Sequence, residues 1–155
     1  SGARGIFVFS FWHRRDLPIF QKTWADGFNL AARNLHSVPG LDQALLFGED
    51  VPLTVTVTKG APRTSTFRPY GFEEDLSLPS VNVLGRKHNG TLYIVAVSSQ
   101  ERPVTAAISG LPPGVTDLQV HCEVRKDGDE VAPVKNAFED TFPWLTVHLY
   151  TAKMP

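Results

Sequence analysis

A single cysteine, Cys122, stands in 155 residues, so no intrachain disulfide can form. That fits a reducing compartment, or a secreted protein that does without bridges. Excess charge of either sign is lacking too. Fifteen Lys and Arg stand against 16 Asp and Glu, for a formal net charge of −1. With no basic stripe either, no nucleic-acid partner is expected. No apolar run approaches the roughly 20 residues that span a bilayer, so no membrane partner is expected. No basic segment leads into a signal-type stretch. Catalytic and cofactor signatures of fixed spacing are missing as well: no HExxH or HxH, no GxSxG, no phosphate-binding loop and no dinucleotide fingerprint. Neither a cofactor nor a metal is expected.

What is present is 42% apolar residues, enough to bury a core. The chain opens on Gly5-Ile6-Phe7-Val8-Phe9-Ser10-Phe11-Trp12, short, uncharged and rich in aromatic and β-branched residues. That pattern fits a strand buried on both faces, which needs neighbours and cover. Met so early, it leads us to expect the tail of a larger protein. Phe7, Phe9 and Phe11 fall on one side of such a strand, Ser10 and Trp12 on the other. His13 to Asp16 form a polar loop, with Asp16 as a helix N-cap and Pro18 suited to the first turn. Phe20, Trp24, Phe28, Ala31 and Leu35 then recur at the spacing of an amphipathic helix. Pro39-Gly40 ends it, and a short helical stretch from Leu41 to Leu46 stops near Gly48.

At Glu49-Asp50 the pattern changes from helical to strand-like. Val51, Leu53, Val55 and Val57 alternate with polar or turn residues, as in a half-buried strand. Thr64 to Phe67 is a second strand candidate, and Gly71 to Pro79 reads as an exposed loop. Val81 to Lys87 and Thr91 to Ser98 flank His88-Asn89-Gly90, a strong hairpin signal because Asn and Gly both tolerate positive φ. Val104–Ile108, Leu118–Val124, Glu130–Val134 and Leu145–Tyr150 follow as strands. The fold class expected is mainly β: an antiparallel sandwich of about eight strands over 51–155, preceded over 1–48 by one strand and an amphipathic helix.

Residues 2–12 and the helix after them resemble the last β/α unit of a TIM-barrel glycoside hydrolase. The remainder resembles the small β-sandwich that follows such barrels. The phrases that carry the likeness are Asn89 to Val97, Arg102-Pro103-Val104-Thr105-Ala106, and Phe138 to Tyr150 with its Val-His-x-Tyr ending. The resemblance implies a non-catalytic C-terminal portion that braces the barrel and borders the glycan cleft. Retaining enzymes of this kind carry their acid/base glutamate after the fourth barrel strand and their nucleophile after the seventh, flanking the glycosidic bond. The resemblance implies that this chain holds only the eighth strand, so no catalytic residue is expected in it. The implied partner is the remaining barrel, or a second chain, that carries both carboxylates. The implied substrate is a glycan. Trp12, at the strand end where barrel active sites are built, is then a sugar-stacking candidate, with His13 as a polar contact beside it.

Each candidate has a plainer account. Trp12 is equally an ordinary aromatic at a strand end, and His13 to Asp16 a solvated loop with a helix cap. Glu73, Glu74 and Asp75 lack the broad oxygen set of a calcium loop. Asp127, Asp129 and Glu130 around Gly128 suit a charged turn. Cys122 and His121 are adjacent, so on a strand they face opposite ways and form no nucleophile pair. Asn89-Gly90-Thr91 is formally a glycosylation sequon, although the hairpin explains it alone. Two other roles remain open: a free-standing carbohydrate-binding module, with Tyr70, Phe72 and Trp144 as its aromatics, and a structural or interaction sandwich.

Overall fold

The computed structural model describes residues 36–68, 73–121, 130–144 and 146–155, together with Lys22, Asp26, Ala32 and Arg33. The expected strand over 5–12 and most of the helix after it lie outside the described residues. Lys22, Asp26, Ala32, Arg33, His36 and Ser37 have helical backbone. A left-handed Gly40 (φ 77°) then starts helix α1, Leu41–Phe47. It ends where the Gly48 N–H donates back to the Ala44 carbonyl at 2.9 Å.

Among the described residues, eleven strands follow. Six form one sheet, in the spatial order β1 (Glu49–Val51), β5 (Val81–His88), β6 (Thr91–Ser98), β11 (Val147–Lys153), β8 (Leu118–His121) and β9 (Glu130–Val131). Three form a second sheet, in the order β10 (Ala137–Phe142), β7 (Val104–Ser109) and β2 (Thr54–Lys59). β3 (Thr64–Phe67) and β4 (Leu76–Pro79) make a separate two-stranded sheet. Every pairing is antiparallel. The fold is the expected antiparallel β-sandwich.

Its details depart from the sequence pattern in three places. The alternation from Val51 to Thr58 is not one strand. Pro52 and Leu53 break it, so β1 joins the large sheet and β2 the small one. This crossing passes close over two glycines. A Cβ on Gly85 would meet the Val51 carbonyl at 2.7 Å, and one on Gly110 the Pro52 carbonyl at 2.7 Å. Leu76–Pro79, expected within a loop, pairs with Thr64–Phe67 instead. Ala137–Phe142 is a full strand despite Glu139 and Asp140 in its middle.

The Asn89-Gly90 hairpin stands as expected, with φ of 48° and 70° at the two turn residues and His88 paired to Thr91. Both left-handed values match the twist of the flanking strands. Lys135-Asn136 makes a similar tight turn, at φ 53° and 62°, between the bridged Val134 and Ala137.

The main core lies between the two sheets. Leu92, Ile94 and Ala96 of β6, Leu118 and Val120 of β8, and Tyr150 and Ala152 of β11 pack with Val104, Ala106 and Ile108 of β7. Phe138 and Phe142 of β10 complete it. On the opposite face of the large sheet, Val38, Leu41 and Ala44 pack on Tyr93 and Leu149. The large sheet is thus covered on both faces at its centre. This is why β6 is buried at successive residues, Leu92, Tyr93 and Ile94, rather than at every second one.

Candidate functional site

Three places in the described structure gather polar or aromatic groups with some chemical potential. The first is internal. Asp140 on β10 alternates with the buried Phe138 and Phe142, so it points into the sandwich. There its Oδ2 lies 2.9 Å from His148 Nδ1 and accepts a hydrogen bond from the Tyr150 hydroxyl. His148 Nδ1 is also 3.2 Å from that hydroxyl, and its ring stacks on Phe142 at 4.5 Å between centroids. His148 is only 1% exposed. The cluster joins the two sheets by charge-assisted hydrogen bonds in a low-dielectric setting. With His148 and Tyr150 buried, the cluster serves as a clasp between the sheets.

The second is a groove of about 600 Å³ on the α1 face of the large sheet. Strand register builds it. Tyr93, Thr151 and Gln119 sit side by side on β6, β11 and β8. Thr91 and Lys153 form the next rung on one side. His121 lies one rung away on the other, where its Nε2 is 2.7 Å from Thr151 Oγ1. Burial holds the His121 pKa below its ordinary 6.5, because the low-dielectric surroundings disfavour the imidazolium. Asp117, from the loop before β8, and Val38-Pro39, from the turn before α1, close the sides. The Tyr93 hydroxyl donates to the Pro39 carbonyl at 3.0 Å, which fixes the ring against the turn.

The third is Trp144, 66% exposed in the connection between β10 and β11. Its suggested companions Tyr70 and Phe72 lie outside the described residues, as do Trp12 and His13. Cys122 and the 127–129 acidic turn lie outside them too. Asp75 is held by Arg68, whose Nε is 2.7 Å from its Oδ1, while Glu73 and Glu74 are exposed. Among the described residues, no group of three or more His, Cys, Asp or Glu side chains is placed to hold a metal.

The pattern contained a signal for the clasp that the sequence reading left unused. His148 and Tyr150 are two apart, as are Phe138, Asp140 and Phe142, so each set shares one strand face. The groove had the same kind of signal in Thr91/Tyr93, Gln119/His121 and Thr151/Lys153. What no spacing showed is that β11 inserts between β6 and β8.

No family model matches the sequence. No curated protein matches it either. Three solved structures resemble parts of the chain. A GH30 endoxylanase from Clostridium papyrosolvens C71 superposes on 48% of it with a TM-score of 0.39 and 14% identity. A glycoside hydrolase family 30 subfamily 8 xylanase from Clostridium acetobutylicum covers 48% with a TM-score of 0.39 and 18% identity. An Anoxybacillus alpha-amylase covers 75% with a TM-score of 0.44 and 9% identity. The matched region spans 20% of the length of each of those chains.

Proposed function

We propose that this chain is the C-terminal, non-catalytic portion of a glycoside-hydrolase-like protein, whose sandwich braces the barrel and borders its glycan cleft. Residues 1–48 would supply the last β/α unit and 51–155 the brace. The rest of the barrel, on the same or a partner chain, supplies both catalytic carboxylates. Trp12 offers the sugar-stacking surface and His13 a polar contact at its edge.

One observation carries the reading. The helical segment is fastened to the centre of the large sheet, not tethered by a free linker. Leu41 and Ala44 are buried against Tyr93 and Leu149, and the Tyr93 hydroxyl holds Pro39. The far end is clamped as well. The buried Arg86 donates to the Gly48 carbonyl at 3.2 Å and meets Asp50 at 2.5 Å. A sandwich joined this way leaves no free linker within residues 38–50. That suits a part that stiffens its neighbour rather than one that roams on a linker.

The test begins with intact mass and light scattering on the natural material. A barrel-sized polypeptide, continuous with this chain or co-purifying with it, is the expected result. The isolated chain is expected to hydrolyse no aryl glycoside. Hydrolysis by the chain alone, abolished by substituting one of its own carboxylates, would overturn the proposal.

A further inference from the structure

We infer that the outer edge of β2 is a self-association site, through which two copies of this chain pair antiparallel about a two-fold axis at Val55. The site lies on the three-stranded sheet, not on the face that holds the helical segment. It stands whether or not a barrel precedes the chain.

Among the described residues the two larger sheets have four edge strands, and three of them are guarded. β1 is three residues long and carries Glu49 and Asp50. β9 has only two residues. β10 carries Glu139 and Asp140 in its middle. Short strands and charged residues keep an edge from pairing with another chain. β2 has neither protection. It runs six residues, Thr54–Lys59, with no charge before the last. Among the described residues β7 is its only partner, so its second edge offers backbone N–H and C=O groups to a further strand.

The residues of this edge select a second copy of it. A bulge between Val57 and Lys59 confines regular pairing to Thr54–Val57. A two-fold at Val55 sets that residue against its own counterpart, Thr54 against Thr56, and Leu53 against Val57. Directly opposed residues share a sheet face, and apolar pairs and threonine pairs both stabilise antiparallel strands. Every apolar residue here meets an apolar one, and every threonine a threonine. Like charges are not opposed, because Lys59 falls opposite Val51. A slip by one residue would set threonine against valine and turn one strand's valines to the wrong face.

The core side of β2 is left incompletely covered. Leu53, Val55 and Val57 are only partly buried. With Val81 and Val83 of β5 they line a cleft of about 200 Å³. A counterpart strand brings the same three side chains to that flank, while Thr54 and Thr56 stay on the exposed face. One short strand pair buries well below the roughly 1,600 Å² of a standard interface, so the expected dissociation constant is about 100 µM.

The decisive experiment is sedimentation velocity on the full chain, from about 10 µM to about 1 mM. A monomer–dimer equilibrium is expected. Thr54→Lys combined with Thr56→Lys opposes like charges at two places and should weaken the dimer about tenfold. Thr54→Lys combined with Thr56→Glu opposes unlike charges at the same two places, and should hold the dimer at least as tightly as the wild type. Both residues are exposed, so the urea midpoint should stay unchanged in each variant. Four results would overturn the assignment: a monomer throughout, an assembly larger than a dimer, a dimer that the two lysines leave intact, or equal weakening by both variants. None of these readouts involves hydrolysis or a barrel, so they leave the brace proposal to its own test.

Discussion

The two faces of the six-stranded sheet are finished by opposite means. The inner face meets the three-stranded sheet in a continuous apolar layer, interrupted by the Asp140–His148–Tyr150 clasp, whose polar groups bond to one another. Among the described residues, the outer face is covered by α1 at its centre. Toward one end it opens into the polar groove, and toward the other the paired Val97 and Val147 remain 40% and 49% exposed. A face closed throughout supports stability. The other, among the described residues, keeps polar and apolar side chains exposed. The same strands serve both purposes because side chains alternate across a sheet.

That contrast can be broken experimentally. The largest effect belongs to the inner face. Asp140→Ala would leave the buried His148 and the Tyr150 hydroxyl without their shared carboxylate. It should cost about 3 kcal/mol, read as a fall in the urea midpoint at unchanged slope. A loss below about 1 kcal/mol would mean that the clasp adds little to the apolar layer around it.

On the outer face, Tyr93→Phe deletes the donor to Pro39 while keeping the ring. The expected loss is about 1 kcal/mol. It should be local, with amide exchange accelerated at Ala44 and Gly48 but not in β7. Equal acceleration in both would show that the two faces are one cooperative unit and that the contrast is only geometric.

Away from both faces, Lys135 holds a left-handed φ of 53° that costs an ordinary side chain energy. Lys135→Asn should raise stability by about 0.5 kcal/mol, measured as a higher thermal midpoint. No change would mean that the turn is set by the Val134–Ala137 bridge alone.

The smallest effect is a pH slope. The folded pKa of His121 lies below 6.5, so as pH falls the unfolded chain takes up its proton first. This group's contribution is intact above 6.5 and is lost as pH falls through the folded value. The urea midpoint should therefore decline between about pH 7 and pH 5, and His121→Asn should flatten part of that decline.

Much of the sandwich could be read from the sequence because its signals are local. Asn89-Gly90 fixed a hairpin through the conformations those two residues tolerate. Val104 to Ile108 showed their alternation plainly. The misses have tertiary causes. Nothing in the Val51–Thr58 alternation distinguishes one strand from two, since only Gly85 and Gly110 beneath the chain make room for the crossing. Ala137–Phe142 was not assigned as a strand, because Asp140 in its middle finds its partners on β11, eight and ten residues further on. Gln119, Thr151 and Tyr93 become one groove wall only through strand order, which periodicity does not encode.

The position of β11 has a consequence for the order of events as the chain is made. Strands β1, β5 and β6 can pair as soon as they leave the ribosome, and so can β8 with β9. These two blocks are not neighbours, however, and nothing bridges them until β11 arrives between β6 and β8. β11 also brings both ring partners of Asp140. Until then, each half-sheet exposes an unpaired edge and half a core. Stable structure should thus appear late and in one step, with a waiting interval in which the nascent chain is open to chaperones and to mispairing.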